Sequence, residues 1–345
     1  MDILNSKILN IDGRLYISYL EEEDFVIDEP NEEQLYEEET TEDETLNYEK
    51  TSTGFKGSIS CPSALYKYVI GSRGATKQKI EYETHSKVII PQRGQSGDIL
   101  VKAKSTKDVE AAITRIELLI SEKRWKEPFA HFVTIPLNDD VLKEGLNKFK
   151  TEVLKKFSGD EGVTDKLFPT YGKLHLTITT LILLDESECE RAVNVLQEIK
   201  TSKILINCDR KRICVQGIEY MNDDPQAIDV LYAKVSCPDD PNFLQELADH
   251  IVSEFDSAGL ARKERGHVKL HATVMNTLRT IDRPDPNQKN LRNTNQKRKT
   301  FDGKNILKEF EDYYFGEFDL REIHISKRHT VGKDGYYESL DIVAI

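Results

Sequence analysis

Two short segments of the sequence, 96 residues apart, repeat nearly the same motif around one histidine and one threonine. Residues 173–178 read KLHLTI and residues 269–274 read KLHATV. Side chains alternate between the two faces of a β-strand. If each segment forms a strand, its histidine and threonine therefore share one face, while the hydrophobic residues share the other and point inward.

Two imidazoles that face one ligand suit acid–base chemistry on a phosphoester. One of His175 and His271 would remove a proton from the attacking oxygen, and the other would protonate the leaving oxygen, each role contributing typically ~10²–10⁴-fold. The hydroxyls of Thr177 and Thr273 would donate to the non-bridging phosphate oxygens. This chemistry requires no metal ion and no cofactor. One His-x-Thr is uninformative, but two copies with the same preceding Lys-Leu indicate a paired site.

A second motif, Gly71-Ser72-Arg73-Gly74, interrupts two predicted short helices. Glycine lets the backbone approach a ligand closely, and the first turn of the following helix presents unpaired N–H groups to a phosphate. Arg73 and Lys77 add positive charge. This pattern predicts a nucleic-acid-binding loop, and the alternative is a helix pair that only packs against a partner.

Periodicity predicts the elements that position both motifs. Around the glycine loop the predicted order is β-α-α-β-β-α over about 70 residues, with strands at 56–61, 87–91 and 98–104 and helices at 62–70, 75–84 and from 106 onward. The remaining chain predicts an α+β domain with mixed or antiparallel sheets. Its strands are expected at 132–137, 174–184, 213–215, 228–235, 268–275, 318–326 and 336–343, and its helices at 139–157 (capped by Asn138), 187–200, 242–258 and 305–313.

The net charge of −13 is distributed unevenly. Residues 21–50 hold 15 acidic residues and one Lys, so this segment carries −14, whereas residues 51–125 carry +6. The mean acidity therefore does not argue against binding of nucleic acid. Residues 279–300 form a polar loop with seven Lys or Arg against two Asp.

The acidic segment has no apolar periodicity, and its charge predicts disorder. Two interpretations remain open: a solvated linker, or a partner-binding arm anchored by its only apolar cluster, 25–27. The residues before it predict a short hairpin around Asp12-Gly13.

The cysteines and the hydropathy of the sequence indicate which cellular environments the protein suits. The five cysteines are an odd number and never form C-x-x-C, which disfavours a disulfide framework and a thiolate zinc site and fits a reducing nuclear or cytosolic environment. No run of 18 apolar residues occurs, so the sequence predicts no membrane-spanning helix.

The segment 54–125 resembles a type I KH domain, because it combines the βααββα order with the glycine loop after Val69-Ile70. The resemblance implies that Gly71, Ser72, Arg73, Gly74 and Lys77 contact single-stranded RNA or DNA, with about four nucleotides clamped at the loop.

The paired His-x-Thr motifs resemble those of the 2H phosphoesterase superfamily. The resemblance implies a bilobal, pseudo-symmetric α+β domain, with His175, Thr177, His271 and Thr273 as its catalytic residues. Enzymes of this superfamily act on RNA ends, whereas other members bind nucleotides.

The order KH then 2H further resembles a family of subunits of a nuclear complex. The resemblance implies a role in transcription coactivation and DNA alkylation repair, a nuclear location, and a helicase and a ubiquitin-binding subunit as partners. The sequence thus predicts an acidic region at 1–53, a KH domain at 54–125 and a 2H domain at 126–345. Whether the 2H domain processes phosphodiester ends or only binds them stays open, as do the substrate, the reaction direction and the preference for RNA or DNA.

Overall fold

The computed structural model describes residues 7–11, 14–18, 48–206, 211–262, 266–281 and 298–345. The predicted disorder of residues 21–47, the apolar cluster 25–27 and the centre of the basic loop lie outside the described residues. The disorder prediction is wrong for residues 49 and 50, because they belong to a strand, Glu49–Thr51, that pairs with the strand Gly54–Ile59. By contacts the chain divides into two units, 1–46 and 47–345. In the first unit, β1 (Lys7–Ile11) and β2 (Arg14–Ser18) pair antiparallel, as the hairpin prediction requires. Nowhere in the described ranges is a helix long and apolar enough to cross a membrane.

The second unit begins with a four-stranded antiparallel sheet and its helices. The strands are β3 (Glu49–Thr51), β4 (Gly54–Ile59), β5 (Ser86–Ile89) and β6 (Ile99–Ala103), and the helices are α1 (Tyr66–Ile70), α2 (Ala75–Glu83) and α3 (Thr106–Arg124). The sheet order is β3-β4-β6-β5. The predicted βααββα order is present, with β3 as an additional strand ahead of residue 54.

Helix α3 covers this sheet with the apolar stripe that its sequence predicts. Its first turn is capped by Ser105, whose hydroxyl accepts from the backbone N–H of Asp108. The stripe packs closely enough on β4 that a Cβ at Gly57 would come within 2.8 Å of the Ile113 side chain. The buried members of the stripe are Val109, Ala112, Ile113 and Ile116.

The rest of the second unit is built on an eight-stranded antiparallel sheet. In chain order its strands are β7 (His131–Pro136), β8 (His175–Leu181), β9 (Arg212–Tyr220), β10 (Val230–Ser236), β11 (His271–Asn276), β12 (Tyr314–Asp319), β13 (Glu322–Lys327) and β14 (Ser339–Ala344). The spatial order is β12-β9-β10-β11-β8-β7-β13-β14. Two groups of four strands therefore meet at β11 and β8, the two strands that carry the repeated motif.

Helices bury the hydrophobic face of this sheet. They are α4 (Asp140–Phe157), α5 (Glu186–Lys200), α6 (Lys203–Ile206), α7 (Phe243–Ser257) and α8 (Lys304–Phe310). Leu176 and Ala272, the central residues of the two motifs, are fully buried on this side. The side chains that flank them along each strand are therefore directed to the opposite, uncovered face.

Several predicted boundaries are corrected by the structure. The strand predicted at 336–343 begins at Ser339, the helix predicted at 305–313 ends at Phe310, and the strand predicted at 174–184 ends at Leu181. The cap of α4 is Asp139 and not Asn138, because the Asp139 carboxylate accepts from the N–H of Val141. The segment 318–326 is two strands, because the chain leaves β12 at Asp319 and crosses to the other half of the sheet before β13. The strand predicted from residue 268 begins only at His271.

A buried ion pair joins helix α3 to helix α5, and thus links the helices of the two sheets of the second unit. Arg124, the last residue of α3, donates from both terminal nitrogens to the two carboxylate oxygens of Glu188 on α5, each at 2.7 Å. Arg124 also donates to the carbonyl of Ile182, and Glu188 accepts from the N–H of Leu184. Bidentate pairing of this kind fixes both distance and orientation.

Candidate functional site

The sheet brings the two His-x-Thr motifs side by side at its centre. Ala272 of β11 pairs with Leu176 of β8 in antiparallel register. One residue to either side, the histidine of each motif lies opposite the threonine of the other, which gives the pairs His175–Thr273 and His271–Thr177. Directly opposite Cβ atoms in a sheet are roughly 4.5–5.5 Å apart and diagonal neighbours roughly 7–8 Å. All four side chains can therefore reach one phosphate group.

His175 is held in one tautomer at the start of β8. Its Nδ1 lies 2.8 Å from the carbonyl oxygen of Lys173, and because a carbonyl only accepts, Nδ1 carries the proton and Nε2 holds the lone pair. The rings of Phe132 and Tyr337 each lie 5.5 Å from the imidazole. Burial lowers the pKa of His175 to about 4; the Lys173 carbonyl opposes this shift, and the charge of Arg279 adds to it.

His271 repeats the same arrangement at the start of β11. Its Nδ1 lies 2.7 Å from the carbonyl oxygen of Lys269, so Nε2 is again the nitrogen that can exchange a proton with a ligand. The ring of Tyr232 lies 5.5 Å away, edge-on. Burial lowers the pKa of His271, the Lys269 carbonyl opposes the shift, and the Lys269 ammonium reinforces it.

A cavity of about 640 Å³ opens beside His175 and is lined by positive and aromatic side chains. Its lining includes Phe129, Phe132, Lys173, His175, Thr177, Asn276, Arg279, Arg328 and Tyr337. Among the described residues, no Asp or Glu lines it. A second cavity of about 300 Å³ adjoins His271, and Thr177 borders both. Thr273 is half-buried on the same face and is part of neither lining. The charges of the larger cavity suit an anionic ligand.

The glycine loop between α1 and α2 depends on backbone conformations that other residues rarely adopt. Gly71 has φ 71° and ψ 179°, and Gly74 has φ 81° and ψ 8°. A Cβ at Gly71 would lie 2.1 Å from the Thr76 hydroxyl, whereas a Cβ at Gly74 would meet nothing within 4 Å. Gly71 is therefore required by both conformation and space, and Gly74 by conformation alone.

The loop presents its polar groups outward. Ser72 and Arg73 are exposed, and Arg73 itself has φ 51°. Helix α2 begins directly after the loop without a side-chain cap, so the N–H groups of its first turn can donate to a ligand. Lys77 is half-buried and lies 3.8 Å from Glu81. Ile70, directly before the loop, exposes 38% of its surface, and Ile89 on β5 exposes 39%. These two side chains leave apolar surface for a base.

Comparison with known proteins identifies both halves of the second unit. Residues 57–118 match the family model of the KH domain, and residues 129–345 match that of the AKAP7 2′5′ RNA ligase-like domain. Activating signal cointegrator 1 complex subunit 1 of Mus musculus is 42% identical over 98% of each chain. The chain belongs to the AKAP7 2′5′ RNA ligase-like family. Its fold is accordingly the predicted one, a KH domain followed by a 2H phosphoesterase domain.

Two solved structures are similar to this chain at low sequence identity. TT0787 of Thermus thermophilus is 16% identical and covers 62% of this chain and 97% of its own, with a TM-score of 0.39. Escherichia coli LigT, solved in complex with NADP+, is 13% identical and covers 64% of this chain and 99% of its own, with a TM-score of 0.37.

The structure places the predicted residues in two separate environments. The four motif residues lie on the uncovered face of the eight-stranded sheet, and we call this face, with the two cavities beside His175 and His271, the groove. The residues of the glycine loop lie in the KH domain. His324 and Ser326, which alternate on β13, are buried and do not line the groove. His324 contacts Glu322 and Ser339, and Ser326 contacts Thr134, so these side chains are satisfied within the fold.

Sequence reasoning missed the aromatic residues around the histidines. Phe132, Tyr232 and Tyr337 come from three different parts of the chain, and no spacing in the sequence connects them with either motif. Within the described ranges, no group of three His, Cys, Asp or Glu side chains is arranged to hold a metal ion.

Proposed function

We propose that this chain is a nucleic-acid-binding subunit of a nuclear coactivator and alkylation-repair complex, and that its 2H groove processes RNA phosphodiester ends without a metal ion. The KH domain holds single-stranded RNA or DNA at the Gly71–Gly74 loop. The groove then acts on a phosphodiester, with His175 and His271 as proton donor and acceptor and Thr177 and Thr273 as donors to the phosphate oxygens.

The observation that carries this proposal is the register of β8 and β11. It places each histidine across from the threonine of the other motif, on the uncovered face of the sheet. Both imidazoles have Nδ1 bound to a carbonyl, which leaves two Nε2 atoms for proton transfer on the two sides of one site. The positive lining of the adjoining cavity supports an anionic substrate.

The assembly role rests on the relative. The name of the mouse protein describes it as a subunit of the activating signal cointegrator 1 complex, and its match spans 98% of both chains. By this likeness we propose that the chain joins a cointegrator complex with a helicase and a ubiquitin-binding subunit, and that it works in the nucleus.

A second function, a ligand-binding groove without catalysis, is favoured by one observation. The pKa of both histidines is lowered by burial, and that of His175 reaches about 4. At neutral pH both imidazoles of the free protein are therefore neutral, whereas a general acid must begin protonated. In this second function the Nε2 atoms and the hydroxyls hold a nucleotide phosphate, and the subunit acts as a scaffold.

Incubation with RNA ending in a 2′,3′-cyclic phosphate, in the presence of EDTA, separates the two functions. We expect the full chain to open the cyclic phosphate, and we expect His175→Ala and His271→Ala each to remove this activity. His250→Ala is the matched control, because His250 lies on α7 and pairs with Glu254. No turnover across a panel of oligonucleotides, together with nucleotide binding that depends on Thr177 and Thr273, would favour the scaffold.

A further inference from the structure

A three-residue unit is present twice in the groove, once around each histidine. In each copy the lysine two residues before the histidine places its ammonium over a tyrosine ring, and the same ring contacts the imidazole edge-on. Lys173 lies 4.7 Å from the ring centre of Tyr337, and Lys269 lies 4.5 Å from that of Tyr232. The two rings come from unrelated positions, β10 and the segment before β14.

The lysine serves its histidine through two separate groups. Its carbonyl oxygen accepts from Nδ1 of the imidazole, and its side chain turns to the face of the tyrosine. A cation within ~6 Å of an aromatic centre is attracted by the ring quadrupole. The tyrosine therefore fixes an otherwise flexible ammonium at the edge of the groove, and the position of that charge is set by the same ring that positions the imidazole.

The two tyrosines are themselves held in different ways. Tyr232 is only 2% exposed and its hydroxyl donates to Glu219, which also pairs with Lys234 at 3.1 Å. Tyr337 is half-buried and lines the larger cavity. One ring is thus part of the core, and the other is in direct reach of a bound ligand.

Lysines over aromatic rings also occur outside the groove. Lys150 over Phe168 also reaches Asp165 at 2.6 Å, and Lys156 over Phe310 also reaches Glu309 at 2.6 Å. In the groove the ammonium of Lys173 donates to the carbonyl of Thr330 at 2.8 Å. The hydrogen bond from Tyr232 lowers the pKa of the Glu219 carboxyl and the charge of Lys269 contributes to this shift, so the Lys269 ammonium lies near the carboxylate that accepts from Tyr232.

We propose that Tyr337 and Tyr232 are positioning residues that hold the ammonium groups of Lys173 and Lys269 as a pair of fixed cations for the phosphate oxygens of the ligand, one beside each imidazole. This inference deepens the proposed function, since it concerns the same groove, and it names what gives the groove its affinity for phosphate. It applies equally to catalysis and to binding alone.

The test uses inorganic phosphate as the probe and the full chain as the protein. Phosphate affinity is measured by calorimetric titration near pH 7.5 for Lys173→Met, Lys269→Met, Tyr337→Leu and Tyr337→Phe. Charge-assisted hydrogen bonds contribute about 1.5–3 kcal/mol, so we expect each lysine variant to weaken phosphate binding roughly tenfold or more. Tyr337→Leu should weaken binding almost as much although it removes no charge, and Tyr337→Phe should restore it, because phenylalanine keeps the ring.

A second readout detects the fixed charge directly. Because the Lys269 ammonium lowers the pKa of His271, Lys269→Met should raise that pKa in an NMR titration of the imidazole. Lys156→Met is the matched control, since Lys156 on α4 lies over the ring of Phe310 on α8, and this change should alter neither phosphate affinity nor the His271 titration.

The outcomes decide the proposal independently of catalysis. Phosphate binding by wild type that is unchanged in Tyr337→Leu overturns it, provided that the melting temperature is retained. Absence of phosphate binding by wild type also overturns it. If the variants behave as expected but no oligonucleotide is cleaved, the cation pair stands and the enzymatic function fails.

Discussion

In the proposed function, the KH loop and the 2H groove bind the same chemical group, a phosphate, by different means. At the Gly71–Gly74 loop the proposed binding groups are backbone N–H groups, and the glycines create the conformation that exposes them. In the groove the proposed binding groups are side chains on adjacent strands, and each imidazole is fixed by a carbonyl and an aromatic ring. The loop can follow the shape of a strand, whereas the groove can hold a single reacting phosphate in place.

The difference also determines how each site responds to change. The loop presents exposed polar groups, such as the side chains of Ser72 and Arg73, on a backbone whose conformation depends on its two glycines. The groove holds two titratable rings whose pKa values are lowered by burial. The groove is therefore expected to be sensitive to pH and to single side-chain replacements, and the loop to backbone conformation.

The largest expected effect is on catalysis by the groove. His175→Asn and His271→Asn should each lower the rate of cyclic-phosphate opening about 10²–10⁴-fold, because asparagine cannot exchange a proton near neutral pH. The double variant should be little slower than either single one, since both groups act in one transition state. Single-turnover rates with EDTA present measure this, with Thr177→Val as a comparison that should weaken phosphate binding as well.

Full activity in both histidine variants would contradict the acid–base roles. Single-strand affinity at the KH loop should be unchanged in them, so an equal loss of strand binding would show that the two sites are not separate in function.

The next largest effect concerns the two glycines of the loop. Gly71→Ala introduces a Cβ at 2.1 Å from the Thr76 hydroxyl, in a region of φ and ψ that is nearly exclusive to glycine and costs about 1–3 kcal/mol. Gly74→Ala meets no atom within 4 Å and costs about 1–2 kcal/mol for its left-handed conformation. We expect single-stranded RNA affinity, measured by fluorescence anisotropy at fixed salt, to fall further in Gly71→Ala.

Cleavage of a short cyclic-phosphate substrate by the groove should be the same in both glycine variants. Equal affinity for RNA in wild type and Gly71→Ala would remove the loop as the strand-binding site.

The two sites also differ in how far the sequence predicted them. The KH loop is local, so the glycines, Arg73 and the following helix were all visible within a few residues. The motif pair of the groove was predicted from its repetition, because alternation in a strand assigns each histidine and threonine to one face. The register that places His175 across from Thr273 depends on the order of eight strands and was not available from the sequence.

The aromatic residues of the groove show why the other residues of the site were not predicted from the sequence. Tyr232 and Tyr337 each contact a histidine through tertiary packing, and apolar periodicity predicts only that such residues are buried. The prediction of a single strand at 318–326 was wrong for a related reason. An alternation of apolar and polar residues does not indicate that the chain passes from one half of a sheet to the other. The family resemblance supplied the KH and 2H folds, which the residue patterns alone left as a βααββα unit followed by an α+β domain.

An effect no larger than that of Gly71→Ala is expected in the pH dependence of stability. Since burial lowers the pKa of His175 to about 4, against about 6.5 for an unperturbed histidine, the unfolded chain binds a proton between these values that the folded chain does not. Stability should therefore fall as pH decreases from 6.5 to 4, by up to about 3 kcal/mol from this residue.

Urea unfolding at pH 5 and pH 7.5 measures this effect when wild type and His175→Asn are compared. The variant should lose less stability on acidification, although His131 and His271, whose pKa values are also lowered by burial, still contribute. An identical loss in both proteins would show that His175 is protonated as easily in the folded chain as in the unfolded one. Ser72→Asp with Arg73→Asp, which alters only the exposed loop, should leave the pH dependence unchanged.

The smallest effect is expected from the acidic segment that precedes the KH domain. Residues 21–46 contain 14 acidic residues and no Lys or Arg, and they precede the compact unit 47–345. Their deletion keeps β3, which pairs with β4 and must be retained. A tethered anionic segment competes with phosphate for a positive surface, so its deletion should strengthen nonspecific single-strand binding by a few-fold at low salt, and less at high salt. The melting temperature should stay nearly constant.

A segment of equal length with the acids replaced by Asn and Gln separates charge from length and should reproduce the gain in affinity. A marked drop in melting temperature on deletion would instead identify these residues as part of the folded structure, and would favour the partner-binding arm over the solvated linker.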